Sequence, residues 1–391
     1  MSKSLFRRAK NRAVLLGATV VLVCAVSSCG ADSRPGQQRL VTESGRAAIA
    51  QSLDAVVRTG LPGAQIVLTE RGQDWTASSG VGDLATGARF PDNGYIRIGS
   101  NTKTFAATVL LQLLAEGTVV LDAPVERYLP GVVQGGGNDG TRITVRNLLQ
   151  HSSGLPDTEQ LLSRTPQDDL AAMRWHQFDV ADVVRPVLAL PSRFAPGTKA
   201  EYSNTNYLLI GMIIERVTGH SVADEIARRI VTPLGLTATY YPEPGDTALR
   251  DPHPSGYLTV DHHRIEYTAF NPSWAGASGA MIATGADLNR FFIALLTGKL
   301  LPAAQLDEMK RNTMPFDRMP GAGYGLGLIH YPVSCGKEVW GHGGSISGFH
   351  TRNGVTADGR AVTVIVNEVP ESGPSEDAVL KTFDTAVCAG S

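Results

Sequence analysis

The sequence has no excess of charge of either sign. Its 391 residues carry 35 Lys and Arg against 37 Asp and Glu, a formal net charge of −2 at pH 7. No basic stripe or Lys/Arg-rich block occurs outside the extreme N-terminus, which removes the compositional case for a nucleic-acid partner. With 42% hydrophobic residues and no internal repeat, the chain is long enough to bury a large core. The composition therefore predicts a globular protein of one or two domains.

The sequence also offers little hydrophobic length for a membrane span. The apolar run at residues 13–26 is too short for a comfortable transmembrane helix, follows a basic N-terminus and ends in the small residues Ser27 and Ser28. This pattern is typical of a signal peptide, so we expect residues 1–28 to direct export. The segment Val26-Ser27-Ser28-Cys29 is similar to a bacterial lipobox, which predicts lipidation of Cys29, anchoring at the outer face of the cell membrane and a flexible tether at residues 29–42. The alternative is an ordinary signal peptide and a secreted product.

Cysteine is scarce, with four in the whole chain. Cys24 lies in the segment to be removed and Cys29 is the predicted lipid acceptor, which leaves Cys335 and Cys388. In an oxidising compartment, two remaining thiols favour a disulfide over a metal site. Neither the cysteines nor the nine histidines fall into metal-ligand spacing. The sequence therefore predicts no metal site and no cofactor.

Apolar periodicity predicts an α/β frame built from both ends of the chain. The predicted frame elements are a helix at 46–57, strands at 64–69, 75–81, 339–343, 347–355 and 361–366, and a closing helix at 376–387. Only helical patterns stand out between about 101 and 236, with Gly219 predicted to end one helix and Ser221 with Asp224 to begin the next. We expect an α/β part at 43–99 and 275–390, a mainly helical part at 100–274, and a cleft between them as the natural site.

The first candidate motif is Ser100-Asn101-Thr102-Lys103, directly before an apolar helix at 104–116 that must be buried. A Ser at the start of a helix lies near unsatisfied N–H groups, and the i, i+3 spacing brings Lys103 onto the same face. A desolvated Lys can take the proton of a Ser hydroxyl, which makes a nucleophile and base pair. A helix-capping Ser and a solvated Lys are the structural alternative.

Two further motifs lie on loops next to predicted elements. Tyr202-Ser203-Asn204 precedes a helix. The phenol of Tyr202, with its pKa lowered by a nearby ammonium, would shuttle a proton, and the amide of Asn204 would bind substrate or orient Lys103. Structurally, Asn204 is a helix cap and Tyr202 a packed aromatic. The third motif is Trp340-Gly341-His342-Gly343-Gly344-Ser345, where a substrate could add to a strand edge while His342 supplies positive charge or a hydrogen bond. A Gly-rich hairpin with an exposed His is the alternative.

In order and spacing, Ser100-x-x-Lys103, Tyr202-x-Asn204 and His342-x-Gly344 resemble the three motifs of the penicillin-recognising serine hydrolases, in the branch of D-alanyl-D-alanine carboxypeptidases, class C β-lactamases and related esterases. Other similar segments extend the resemblance over most of residues 43–390. It implies a β-lactamase/transpeptidase-like α/β fold, an antiparallel sheet flanked by helices. Cys335 and Cys388 lie where a secreted carboxypeptidase of this family has its disulfide.

The resemblance also implies an acyl-transfer mechanism. Ser100 would attack a carbonyl while Lys103 and Tyr202 manage its proton. The oxyanion would be held by the N–H of Ser100 and a second N–H near Ser345 to Ser347. The implied pocket residues are Asn204, His342, Gly344, Ser345 and Trp274, with a buried core position as the alternative for Trp274.

The chain departs from the carboxypeptidase pattern where the substrate's carboxylate is held. Ile329 stands where that family has an Arg, and Gly343 where it has a Thr; Ser345 retains one hydroxyl, and His330 or Arg352 are possible substitutes. Losing such a clamp should cost several kcal/mol toward a free carboxylate, since charge-assisted hydrogen bonds contribute about 1.5 to 3 kcal/mol each.

Three functions from different classes follow. The first is an exported, monomeric acyl-hydrolase, either a carboxypeptidase or a β-lactamase-like enzyme acting on a small molecule or a peptidoglycan peptide at the cell wall. The second is a carboxylesterase, favoured by Ile329 and Gly343. The third is a lipid-anchored binding or sensing protein, against which the intact Ser100, Lys103 and Tyr202 argue.

Overall fold

The computed structural model describes residues 40–162, 173–371 and 373–390. The predicted signal peptide, Cys29 and most of the predicted tether lie outside the described residues. Within them, no helix has the length and apolar character needed to cross a membrane.

The described strands form one large antiparallel sheet and three small pairs. The large sheet runs β2-β1-β15-β14-β12-β11-β10-β9. β13 also pairs with β14, along a part of that strand that precedes the part paired with β12. The strands of the large sheet are β1 (Gly63–Glu70), β2 (Gln73–Gly80), β9 (Met314–Pro315), β10 (Gly323–Tyr324), β11 (Ile329–His330), β12 (Val339–Gly341), β13 (Gly343–Ile346), β14 (Phe349–Thr356) and β15 (Ala361–Val366). The small pairs are β3 (Ile96–Arg97) with β8 (Ile282–Ala283), β4 (Gln134–Gly135) with β5 (Asn138–Asp139), and β6 (Tyr257–Val260) with β7 (His263–Glu266).

The predicted joining of the two chain ends is confirmed at the centre of the sheet. β1 pairs antiparallel with β15, with Ala64 opposite Val366. Both strands are buried along their whole length because helices cover both faces of the sheet. Helices α1 (Glu43–Arg58) and α12 (Gly373–Cys388) pack on one face, and α10 (Gly285–Leu296) packs on the other.

The middle of the chain is mainly helical, as predicted. Its described α-helices are α2 (Asn101–Ala115), α3 (Val145–Leu149), α4 (Glu159–Leu162), α5 (Val180–Leu188), α6 (Asn204–Thr218), α7 (Val222–Ile226) and α8 (Thr232–Leu234), with a π-helical segment at Ala227–Val231 between the last two. Beyond the middle part lie α9 (Gly276–Gly279) and α11 (Ala303–Lys310). Gly219 ends α6 with a φ of +74°, and Ser221 accepts a hydrogen bond from the Asp224 N–H at the start of α7. Both predicted helix boundaries are confirmed.

Short strands within the helical part were missed. The β4–β5 and β6–β7 hairpins lie inside residues 100–274, where only helices were predicted. The two strands of the β4–β5 pair are only two residues each and turn through three glycines with positive φ, so they have no alternation of apolar and polar residues to detect.

Helix α2 lies in the core, as its apolar sequence predicts. Most of its residues are buried, and the Phe105 ring stacks on Phe291 of α10 at 3.6 Å between centroids. At the C-terminus, Cys335 and Cys388 are placed as a bonded pair with their Cα atoms 5.7 Å apart, which would join α12 to the loop after β11.

Candidate active site

Ser100 lies where the N-terminal end of α2 meets β13. The preceding Gly99 has a φ of +49°, and a Cβ there would lie 2.9 Å from the backbone N of Ser345. Only glycine allows this left-handed turn and this close approach together. The sequence thereby brings the edge of β13 beside the predicted nucleophile.

Lys103 is one helical turn from Ser100 and is completely buried. Its Nζ lies 2.9 Å from Ser100 Oγ, 2.8 Å from Asn204 Oδ1 and 2.7 Å from the Ser278 carbonyl oxygen. The oxygens of Asn204 and Ser278 can only accept hydrogen bonds. When the amine of Lys103 is neutral, its two N–H groups donate to these oxygens, and its lone pair is left facing the hydroxyl of Ser100. This is the geometry that a general base requires.

Burial lowers the pKa of Lys103 to about 7, with Asp157 opposing the shift and Arg318 adding to it. An ammonium loses hydration energy when it is enclosed, so the neutral amine is favoured. Near pH 7 a large fraction of Lys103 is therefore the free base. The predicted nucleophile and base pair has both the geometry and the protonation state for acyl transfer.

Asn204 holds Lys103 through its side-chain oxygen. Its Nδ2 donates to Asp157 Oδ1 at 3.1 Å and to Glu159 Oε1 at 3.2 Å, which identifies the oxygen as the atom facing Nζ. Because both hydrogens of Nδ2 are engaged by carboxylates, the structure favours the lysine-orienting role of Asn204 over binding of a substrate amide. Asp157 and Glu159 were not predicted, since nothing in their spacing distinguishes them from other acidic residues.

Tyr202 lies beside this pair, but its protonation differs from the prediction. Lys103 Nζ lies 4.9 Å from its ring centroid, and its hydroxyl interacts with the side chain of Ser100. Burial raises the pKa of Tyr202 above its ordinary value, although the neighbouring Ser100 side chain and Arg318 oppose the shift. The expectation of a lowered phenol pKa was wrong, because desolvation of a phenolate outweighs the nearby cations. Tyr202 is thus a proton donor at neutral pH.

His342 is also placed differently from the prediction. It is 2% exposed, its Nδ1 lies 2.5 Å from the Gly343 carbonyl oxygen and its Nε2 lies 3.0 Å from the Tyr324 hydroxyl. Burial lowers the pKa of His342 to about 3, so the ring is neutral at pH 7. The prediction that it supplies positive charge was wrong. His342 lies behind the cleft wall, where both ring nitrogens have protein partners.

The backbone of β13 lines the cleft. Ser347 and Gly348 form a two-residue turn, so Ile346 and Phe349 are the hydrogen-bonded pair nearest the turn and Ser345 belongs to the next, non-bonded pair. The N–H and carbonyl of Ser345 therefore point away from β14, toward Gly99 and Ser100. This N–H is placed to be the second oxyanion donor expected near Ser345 to Ser347. Gly344 keeps the strand close, since a Cβ there would lie 2.0 Å from the Ile98 carbonyl oxygen.

A cavity of about 220 Å³ opens in front of Ser100. The predicted site residues on its wall are Ser100, Tyr202, Asn204, Trp274, Gly344 and Ser345. Ile329 and Gly343 also line it, whereas Lys103 and His342 lie behind it. Of the two suggested replacements for the missing Arg, Arg352 reaches the cavity and His330 does not. Charged residues not predicted for the site are Glu159, Arg318 and Glu376.

No cluster of His, Cys, Asp and Glu suited to a metal ion occurs within residues 40–162, 173–371 and 373–390.

Comparison with known proteins gives a consistent family. The family model described as Beta-lactamase matches residues 43–384. A D-stereospecific amidohydrolase from Streptomyces sp. is 38% identical, with a TM-score of 0.78 over 85% of this chain and 98% of that one. The D-amino acid amidase from Ochrobactrum anthropi SV3, complexed with L-phenylalanine amide, is 30% identical, with a TM-score of 0.77 over 88% and 98%.

Curated relatives are more distant in sequence. Penicillin-binding protein 4* of Bacillus subtilis (strain 168) is 26% identical over 331 residues, which is 81% of this chain and 71% of the relative. The match covers only about 40% of the length of the first curated relatives.

Proposed function

This chain belongs to the Beta-lactamase family of serine hydrolases, and from that premise we propose that it is an amidohydrolase that forms an acyl-enzyme on Ser100. The observation that carries the proposal is the contact between Lys103 and Ser100. A buried Nζ with its hydrogens directed to Asn204 and Ser278 has its lone pair available for the Ser100 proton.

The proposed reaction moves each proton over a short path. Lys103 takes the hydroxyl proton of Ser100 as Oγ attacks the amide carbonyl. The N–H groups of Ser100 and Ser345 stabilise the oxyanion. Tyr202 donates its hydroxyl proton to the leaving nitrogen as the C–N bond breaks, and the ammonium of Lys103 restores that proton. Water then attacks the ester of Ser100, with Lys103 again as base.

We propose amides of D-amino acids as the substrate class. Support comes from the likeness to two structures, a D-stereospecific amidohydrolase and a D-amino acid amidase. The chain covers 98% of the length of each, at 38% and 30% identity. An amide leaving group needs no carboxylate clamp, which agrees with Ile329 lying on the cavity wall in place of an Arg. A D-alanyl-D-alanine carboxypeptidase or a β-lactamase-like enzyme is supported less, because both types of substrate carry a carboxylate. A carboxylesterase is the second candidate, favoured by the same apolar Ile329.

The test is hydrolysis of D-phenylalaninamide, L-phenylalaninamide and p-nitrophenyl acetate by the wild type and by Ser100→Ala. Intact-mass spectrometry after benzylpenicillin follows on the same two proteins. We expect Ser100-dependent release of ammonia from the D-amide. Ester turnover without amide turnover would favour the esterase, and rapid loss of a penicilloyl adduct with drug turnover would favour a β-lactamase. If the wild type has no activity that Ser100→Ala lacks, the hydrolase proposal fails.

We further propose that the protein is exported and lipid-anchored through Cys29, on the basis of the N-terminal pattern in the sequence. Metabolic labelling with a fatty-acid analogue should label the wild type and not Cys29→Ala. Labelling of neither, with the protein recovered from the medium, would indicate an ordinary secreted product. Because that compartment is oxidising, we also propose that Cys335 and Cys388 form a disulfide.

A further inference from the structure

One end of the active-site cavity contains an ion pair that the proposed reaction does not use. Arg352 on β14 and Glu376 in the first turn of α12 both line the cavity that contains Ser100. Arg352 Nη2 donates to Glu376 Oε1 at 2.6 Å. The Arg352 side chain is 9% exposed and that of Glu376 35% exposed, so the carboxylate is the more accessible partner.

Arg352 reaches the cleft through space that β13 leaves open. Gly343 is opposite Arg352 in the β13–β14 register, and a Cβ on Gly343 would lie 3.0 Å from Arg352 Nη1. The guanidinium therefore lies against the strand at a position without a side chain. Its carboxylate partner is Glu376, and the Tyr331 side chain also lies against it, with 5.8 Å between Arg352 Cζ and the ring centroid. A planar guanidinium carries five N–H donors, so much of its capacity for an anion remains.

Glu376 cancels the charge of this guanidinium. Among the described residues, the basic side chains next to Glu376 are Arg352 and His350, whose Nε2 lies 3.6 Å from Glu376 Oε2. Burial lowers the pKa of His350 to about 4, with Glu376 opposing and Arg352 adding to the shift, so His350 is neutral at pH 7. Its Nδ1 also lies 2.8 Å from Ser345 Oγ. This end of the cavity thus has one positive and one negative charge and no net attraction for an anion.

We propose that Glu376 is a specificity-determining residue: by pairing with Arg352 it occupies the cation that a substrate carboxylate would bind, and it directs the enzyme to substrates with an uncharged end beside Gly343. A substrate carboxylate entering this end meets Glu376 at close range, where two like charges repel. An amide or ester meets no such penalty. The inference rests on the proposed amidohydrolase function and extends it to the choice of leaving group.

The test compares cleavage of the peptide bond that D-alanyl-D-alanine and D-alanyl-D-alaninamide share, measured as the initial rate of release of the N-terminal D-alanine, and ammonia released from the terminal amide is quantified separately. For wild type we expect kcat/KM to favour the amide-ended peptide. Glu376→Gln keeps the size of the side chain and frees Arg352, so the preference should move toward the carboxylate-ended peptide by about tenfold or more, as expected for one charge-assisted hydrogen bond. The matched control is Asp377→Asn, which removes a negative charge from the exposed neighbouring position of α12 and should leave the ratio unchanged.

A second variant tests the role of the guanidinium. In the double variant Glu376→Gln with Arg352→Gln, the gain toward the carboxylate-ended peptide should disappear. An unchanged ratio in Glu376→Gln would overturn the proposal, and so would a gain that survives the loss of Arg352. Thermal unfolding of each variant confirms that the ratios compare folded proteins.

Binding separates this inference from the proposed activity. In the Ser100→Ala background, calorimetry with both peptides measures the same preference without turnover. If wild type cleaves neither peptide nor an amino acid amide, the amidohydrolase proposal fails, while a tenfold shift in relative affinity on Glu376→Gln still supports the role of Glu376. If binding shows no shift, the specificity role is wrong whatever the activity.

Discussion

Replacing Asp157 with Asn should move the pH dependence of the enzyme to lower pH. Asp157 contacts Lys103 only through Asn204: its Oδ1 lies 3.1 Å from Asn204 Nδ2, and Asn204 Oδ1 lies 2.8 Å from Nζ. The negative charge stabilises the ammonium form and partly opposes the lowering of the Lys103 pKa by burial. Asn at position 157 keeps the size of the side chain and an oxygen that can accept from Asn204, so the geometry should survive.

The size of the effect follows from the distance between the charges. Two unit charges on the order of 7 Å apart interact by about 2.4 kcal/mol at an effective dielectric constant of about 20, and with further screening by the open cavity we expect about half of that, roughly one pKa unit. Losing the negative charge disfavours the ammonium, so the pKa of Lys103 falls below about 7. The neutral base is then present at lower pH, and the rising limb of kcat/KM shifts toward acid by about one unit.

The assay is the pH profile of kcat/KM for an amino acid amide, measured for wild type, Asp157→Asn and Asp246→Asn. Asp246 is exposed and absent from the cavity wall, so its variant controls for net charge. Wild type should show a rising limb near pH 7, the value to which burial lowers the pKa of Lys103. The reasoning is refuted if the limb of Asp157→Asn coincides with that of Asp246→Asn, or if it moves toward alkaline pH.

Three further substitutions test separate parts of the structure. Tyr202→Phe should lower kcat on amides by about 10² or more while changing p-nitrophenyl ester turnover much less, because only the amide nitrogen needs a proton to leave; equal losses on both substrates would contradict the proton-donor role. Gly344→Ala should reduce kcat/KM on both substrate types, since its Cβ would lie 2.0 Å from the Ile98 carbonyl oxygen and push β13 away from Ser100. The control Gly373→Ala, whose Cβ would meet nothing within 4 Å, should leave kcat/KM unchanged. Full activity in Gly344→Ala would show that the position of the strand is unimportant. Cys335→Ser should lower the free energy of unfolding by about 2 to 4 kcal/mol in denaturant titrations without changing kcat, since a bond between Cys335 and Cys388 would close a long loop. The wild type under reducing conditions is the control and should lose the same stability. Unchanged stability would argue against the bond.

Much of the frame was predictable because it depends on local periodicity. The buried strands β1 and β15, the long helices and the stop at Gly219 each follow from neighbouring residues and backbone preferences. The β4–β5 hairpin was missed because strands of two residues have no periodicity, and the four-residue strands of β6–β7 have no alternation of buried and exposed positions. The Ser100 and Lys103 pair was predictable for the same local reason, since residues three apart share a helix face.

Protonation states were not predictable from the motifs. The sequence suggested a lowered pKa for Tyr202 and a charged His342, whereas both side chains are buried and desolvation sets their pKa values. Burial depends on every element packed around a residue, so it is not encoded in the residue's immediate neighbours.

The sequence by itself determined the family, the meeting of Ser100 and Lys103 on one helix face, and the apolar residue Ile329 at the position of the family's Arg. Only the tertiary structure decided that Asn204 turns its oxygen to Lys103, that Tyr202 keeps its proton, and that Arg352 meets Glu376 in the cavity. The physical reason is range. A helix turn or a strand is specified by residues a few positions apart, but the charge and hydrogen bonding of a buried group are set by partners from distant elements that meet only when the chain folds.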